Sequence, residues 1–192
     1  VAAGTIKLWH YASVARMWSW ALVVTSVLLL GVAFAVRATT DEGIDLRWTA
    51  VVIGITGVSG ILGYPGLSVW LARSAMPSLR LSQASQAKGP RRLPATKADW
   101  RRWSILTTAV LTIGGSAMLI FLVGVLGGGG TAEGVVVGLL AAWGLATLGD
   151  ARKIDRAERE EKRRYYASVD RPLGVGNHLV WTPAGEDAQG AP

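Results

Sequence analysis

The chain has 192 residues, no cysteine, and 20 Lys and Arg against 13 Asp and Glu, for a formal net charge of +7. The missing cysteine excludes disulfides, thiolate metal sites and thiol nucleophiles. Mean hydropathy is +0.34, and the charges are excluded from four stretches of about 20 residues, the length that crosses roughly 30 Å of hydrocarbon. The fold class this predicts is all-α integral membrane, with four transmembrane helices, both termini cytoplasmic and the fourth helix extended into the cytoplasm.

Residues 1–16 are a cytoplasmic N-terminal segment carrying Lys7 and Arg16. The first transmembrane helix is predicted over 17–36, and an external loop over 37–47 carries Arg37, Asp41, Glu42, Asp45 and Arg47. The three carboxylates read as a solvated hairpin loop rather than a cation site. Ala33-Phe34-Ala35 after a basic start and an apolar run also resembles a cleavable signal, but the run is long for that role. The second helix is predicted over 48–72 and the third over 103–126, joined by a basic cytoplasmic loop over 73–102. Thr96 and Asp99 in this loop read as a helix N-cap, so the third helix begins ahead of its apolar run. An external glycine turn over 127–131 leads into the fourth helix over 132–149, with Glu133 at its edge. Residues 150–168 extend that helix as a charged cytoplasmic segment, with acid-before-base pairs at i,i+4 in Asp155–Arg159, Glu158–Lys162 and Glu160–Arg164. Residues 169–192, rich in Gly, Pro and Ala, read as a flexible tail.

The distribution of cations sets the orientation. With both ends inside, 18 of the 20 Lys and Arg lie on the cytoplasmic side, as the positive-inside rule requires of a multi-pass protein in the plasma (inner) membrane. Trp9, Trp18, Trp20, Trp70, Trp100 and Trp103 gather toward the inner interface and Trp48 marks the outer one. Arg91, Arg92, Arg101, Arg102, Arg163 and Arg164 are the candidate contacts for lipid headgroups or a partner. Nucleic acid is not expected as a partner, because no recognition module accompanies the charge.

Small residues mark the helix surfaces. Gly134, Gly138, Ala142 and Ala146 recur at i+4 in the fourth span, and Ser104, Thr108, Thr112 and Ser116 do so in the third. Each row makes one ridge, because steps of four precess only about 40°. The short glycine turn predicts that these two helices pack tightly against each other. Gly54, Gly57, Gly60, Gly63 and Gly66 recur at i+3 in the second span. Steps of three drift about 60° each, so these glycines offer close approach on two sides and predict a central second helix. Pro65 predicts a kink, and local tightening to a 3₁₀ helix is the alternative.

Gly57, Val58, Ser59 and Gly60 are similar to the serine motif of rhomboid intramembrane proteases over those four residues alone. That chemistry needs a histidine base from another span, and the only histidines, His10 and His178, lie outside the spans. The same absence argues against a bis-histidine haem or an imidazole metal site in the bilayer. No charged side chain in an apolar core offers a proton relay, and no cofactor is expected. The sequence therefore predicts a non-enzymatic polytopic protein that associates with lipids and with a membrane-protein partner or further copies of itself. It would serve as an accessory, assembly or anchoring subunit of a larger complex. The alternative is a homo-oligomeric channel, holin-like pore or small transporter.

Overall fold

The computed structural model describes residues 7–39, 44–74, 85–86, 93–94, 97–126, 130–168 and 179–183. Four helices dominate it: α1 Tyr11–Ala38, α2 Leu46–Ser74, α3 Lys97–Leu126 and α4 Thr131–Glu161. Their 28 to 31 residues give lengths of about 42–46 Å at 1.5 Å per residue. All four are long and apolar enough to cross a membrane.

The helix ends follow local chemistry. Asp45 caps α2, its Oδ1 accepting the Trp48 N–H at 2.5 Å, so one member of the acidic loop cluster is committed to the helix start. Thr39 closes α1, its N–H and hydroxyl both donating to the Val36 carbonyl at 3.1 and 2.7 Å. Gly130 opens α4 at φ +84°, a left-handed conformation natural to glycine. A side chain there would also run into Val52 and the Trp48 ring. α2 is α-helical throughout and contains Pro65, so the glycine series does not tighten into a 3₁₀ helix.

Among the described residues, five short strands accompany the helices: β1 Lys7–His10, β2 Ser85–Gln86, β3 Leu93–Pro94, β4 Arg163–Ser168 and β5 Leu179–Pro183. They form one mixed sheet in the order β2-β5-β4-β1-β3. β4 runs antiparallel to both neighbours, pairing Ala167 with Trp9 of β1 and Tyr166 with Val180 of β5. The helical class holds, and the sheet is an addition that the hydropathy pattern does not reveal. It corrects three boundaries. β1 and the start of α1 occupy part of 1–16, the helical extension over 150–168 stops at Glu161, and β5 lies within the tail over 169–192. α4 ends because Lys162 turns left-handed at φ 52°, after which the Tyr165 and Tyr166 side chains are buried by strand pairing.

Helix packing also departs from the expected neighbours. α4 is the central helix, lying against both α2 and α1, while α3 packs chiefly on α1. The Gly134, Gly138 and Ala142 ridge faces α2, where it meets Ile55, Ser59 and Gly60, and Gly63 lies against Ala142 and Leu139. Ser59 Oγ donates to the Ile55 carbonyl at 2.6 Å and reaches the Gly134 carbonyl at 3.2 Å. On its other side α4 meets α1 at Gly144, whose carbonyl accepts the buried Ser19 hydroxyl at 2.8 Å. The reason is steric. Gly144 gives α1 the same close approach that Gly138 gives α2, so α4 carries the two smooth surfaces that the sequence assigned to α2. α3 offers α1 the Thr112 hydroxyl, 3.5 Å from that of Thr25, and Gly115 against Leu29.

Candidate docking site at the sheet end

β1 precedes α1, β2 and β3 lie between α2 and α3, and β4 and β5 follow α4. The chain segments at one end of all four helices thus converge on a single sheet. Where the sheet meets the bundle, polar side chains of β1, α1 and α4 interlock with one another and with a backbone N–H of β4. Glu158 of α4 accepts from the Tyr165 backbone N–H at 2.9 Å and lies 3.0–3.1 Å from His10 Nε2. His10 Nδ1 is 3.0 Å from Ser13 Oγ. Arg16 of α1 pairs with Asp155 of α4.

Ser13, His10 and Glu158 are the three group types of a serine nucleophile, its base and the carboxylate that orients it. Their placement also makes a joint. Ser13 is in the first turn of α1 and lies against the ring of the residue that precedes the helix, and Glu158 is shared with a strand N–H. The joint ties the start of α1, the end of α4 and the central strand together. It also displaces the expected pairs along α4. Asp155 and Glu158 take partners on α1, β1 and β4, and Arg159 donates to the Asp155 backbone carbonyl at 3.2 Å. Lys162 and Arg164 lie beyond the helix.

Beside the joint is an open groove of about 460 Å³ lined by Asp155, Glu158, Arg159, Lys162, Arg163 and Arg164. Both acids are engaged with α1 and β1, so the groove presents a cationic face. Arg163 stacks on Trp181, its guanidinium carbon 4.2 Å from a ring centroid, and lies 3.8 Å from Glu161. This fixes its planar head at the rim, a form suited to carboxylates and phosphates. β1 adds an aromatic contact to the sheet end: Trp9 is buried edge-on against Trp100 and Trp103 of α3, with centroids at 4.5 and 6.3 Å.

Tyr165 is the anchor of β4, 1% exposed, with its hydroxyl donating to Glu161 Oε2 at 2.5 Å. Burial, followed by the hydrogen bond to and the charge of Glu161, pushes its pKa up to about 12 from 10.0, with Arg163 pulling the other way. The folded state therefore holds this proton more tightly than the unfolded chain. Its contribution is intact below pH 10 and is lost as pH rises toward 12. A tyrosinate absorbance titration should show a late step that Tyr165→Phe removes.

Of the sequence-predicted sites, Gly60, Gly63, Gly134, Gly138 and Ala142 come together at the α2–α4 interface. Gly54, Gly57 and Gly66 have open space where a Cβ would project, so α2 is approached on one side. Thr112 faces α1, Ser104, Thr108 and Ser116 are half-buried, and Ala146 is buried. Arg101 and Arg102 are exposed on α3, Arg163 and Arg164 line the groove, and Arg91 and Arg92 lie outside the described residues. The sequence pattern does not mark His10, Glu158 or Glu133 as site residues. His10 and Glu158 are 148 positions apart, and no local pattern joins them.

These elements define a helical protein with four membrane-length helices and a small mixed sheet at one end of the bundle. Comparison with protein-family models, curated proteins and solved structures finds no match to the chain. Among the described residues, no three His, Asp or Glu side chains are grouped to hold a metal ion.

Proposed function

We propose that the chain is a multi-pass protein of the plasma (inner) membrane, with both termini cytoplasmic, that acts by association as an accessory, assembly or anchoring subunit of a larger membrane complex. The carrying observation is the cationic groove beside a sheet built from three separate chain segments. A structured cytoplasmic platform of this kind is more than topology alone demands. Its fixed Arg163 and the neighbouring Lys162 and Arg164 suit an acidic surface on a partner, steered by charge and sensitive to salt.

The absence of cysteine makes both parts of the proposal testable with single-cysteine variants. Lys162→Cys should react with an impermeant reagent only after the membrane is opened, and Ile44→Cys should react from outside. The reverse pattern would invert the assignment. A photo-crosslinker placed at Arg159 in intact membranes should yield one defined hetero-product, and charge reversal at Arg163 and Arg164 should abolish it. Self-crosslinked products alone, with ion conduction in liposomes, would replace this reading with the homo-oligomeric pore.

A further inference from the structure

Ser13, His10 and Glu158 hold the joint together, and they also stand in the order of a nucleophile, a base and an orienting carboxylate. His10 Nδ1 lies 3.0 Å from Ser13 Oγ, and His10 Nε2 lies 3.0–3.1 Å from the Glu158 carboxylate. The carboxylate accepts the Nε2 proton, which leaves Nδ1 as the acceptor for the serine proton. Glu158 is itself fixed by the Tyr165 N–H at 2.9 Å. Exposure rises from the carboxylate to the base: Glu158 is 12% exposed and the His10 ring 32%, while Ser13 is half-buried. Ser13 is also the third residue of α1. Backbone N–H groups in the first turn of a helix have no acceptor within it, and the His10 side chain does not cap them. They are donors beside Ser13 for the charge that develops on a carbonyl oxygen under attack.

We propose that this cluster hydrolyses carboxylic esters and that its substrate is the acyl ester of an anionic lipid. Ser13 Oγ attacks the ester carbonyl carbon while its proton passes to His10 Nδ1. Glu158 stabilises the imidazolium that forms, and the first N–H groups of α1 hold the oxyanion. The C–O bond to the leaving alcohol then breaks, and the proton on Nδ1 goes to the departing oxygen. Water next attacks the acyl-serine and gives a proton to Nδ1. Collapse releases the fatty acid and returns that proton to Ser13 Oγ. The groove selects the anionic head. Glu158 belongs both to the cluster and to the groove wall, whose other side chains are Asp155 and four cations, Arg159, Lys162, Arg163 and Arg164. Depth selects a lipid. Trp18 and Trp20 stand five and seven residues further along α1 and mark the bilayer interface. Ser13 therefore lies about 8–11 Å outside them along the helix, at the margin of the headgroup layer. The lipid assignment rests on the cytoplasmic placement of the sheet end proposed above; the ester chemistry does not.

The test uses the full chain in detergent with a fluorophosphonate probe, p-nitrophenyl butyrate, and the oleoyl forms of lysophosphatidylglycerol and lysophosphatidylcholine. The probe should label the peptide that carries Ser13, and Ser13→Ala should abolish both that labelling and the release of p-nitrophenol. Glu158→Gln keeps an acceptor for Tyr165, so the exchange protection of residues 163–168 should largely persist. Its KM should be unchanged, yet its kcat should fall by about 100-fold or more, the scale of general-base assistance. Lysophosphatidylglycerol should be cleaved about tenfold faster than lysophosphatidylcholine, and Arg163→Gln should narrow that preference, as for a lost hydrogen bond to a charged group. No labelling of Ser13, or hydrolysis that survives Ser13→Ala, would overturn the ester chemistry. Full kcat in Glu158→Gln would overturn the role of the carboxylate. Cleavage of p-nitrophenyl butyrate alone would overturn the lipid assignment, and the cysteine-accessibility pattern reports separately on the orientation beneath it. If Ser13→Ala fails to fold, the mass of the labelled peptide from the unaltered chain decides by itself.

Discussion

Gly138→Ala should lower the stability of the bundle by about 1–3 kcal/mol, the usual penalty for overpacking a close contact, while Gly57→Ala should leave it unchanged or raise it. A methyl on Gly138 would overlap Ser59 Oγ and the Thr56 carbonyl oxygen and sit 3.0 Å from Gly60 N. Ser59 can rotate, at the expense of its bonds to Ile55 and Gly134, but the Thr56 carbonyl and the Gly60 amide are backbone. α2 must therefore move off α4 along the contact that includes Gly134 and Gly63. In a bilayer the separated surfaces meet lipid as apolar as themselves, so close packing and hydrogen bonds supply the force that is lost. Gly57 has nothing within 4 Å of its virtual Cβ, and alanine there gains up to about 1 kcal/mol of helix propensity. Melting curves of the two variants in the same detergent provide the check. An unchanged melting temperature for Gly138→Ala would show that α2 and α4 do not meet through Gly138, and a drop for Gly57→Ala would show that the Gly57 face is covered.

The contrast between these glycines also marks how far the sequence could be read. Apolar runs in four segments are enough to locate four long helices, because a charge inside hydrocarbon is prohibitive and its absence is visible residue by residue. The small-residue ridge on α4 is visible for a similar reason, since spacing by four defines a face. Which helix fills that face is not a local property. The glycine turn brings α3 and α4 close in sequence, yet Ser59, Gly60 and Gly63 give α2 a surface that accepts the ridge, and Gly144 opens a second one to α1. Strands of two to six residues carry too little pattern to be found, and β4 is masked by the charged run before it. Its signal was the adjacent Tyr165 and Tyr166, side chains of high strand propensity directly after a helical charge pattern. Glu133 reads as an edge residue in one dimension; α1 and α3 bury it in three.

The second large effect is expected at Glu158. Glu158→Ala removes the acceptor for the Tyr165 N–H and the partner of His10 Nε2. Tyr165 lies in the central strand, so its amide becomes a buried donor without an acceptor, a defect of about 1–3 kcal/mol. The loss should be local. Hydrogen exchange of the backbone amides over 163–168 should accelerate, along with those of β1 and β5, which pair with that strand. Amides across the α2–α4 contact, far along the bundle, should keep their protection. Glu158→Gln should recover most of the difference, because an amide oxygen still accepts from Tyr165 and its NH₂ can face the imidazole. Arg163 and Arg164 open β4 and line the groove, so loosening this strand should also weaken the crosslink to a cytoplasmic partner, with the cations themselves untouched. Unchanged exchange over 163–168 in Glu158→Ala would mean that the carboxylate does not hold the sheet. A crosslink that survives a freed β4 would mean that the partner reads only the charge and not the fixed position of Arg163.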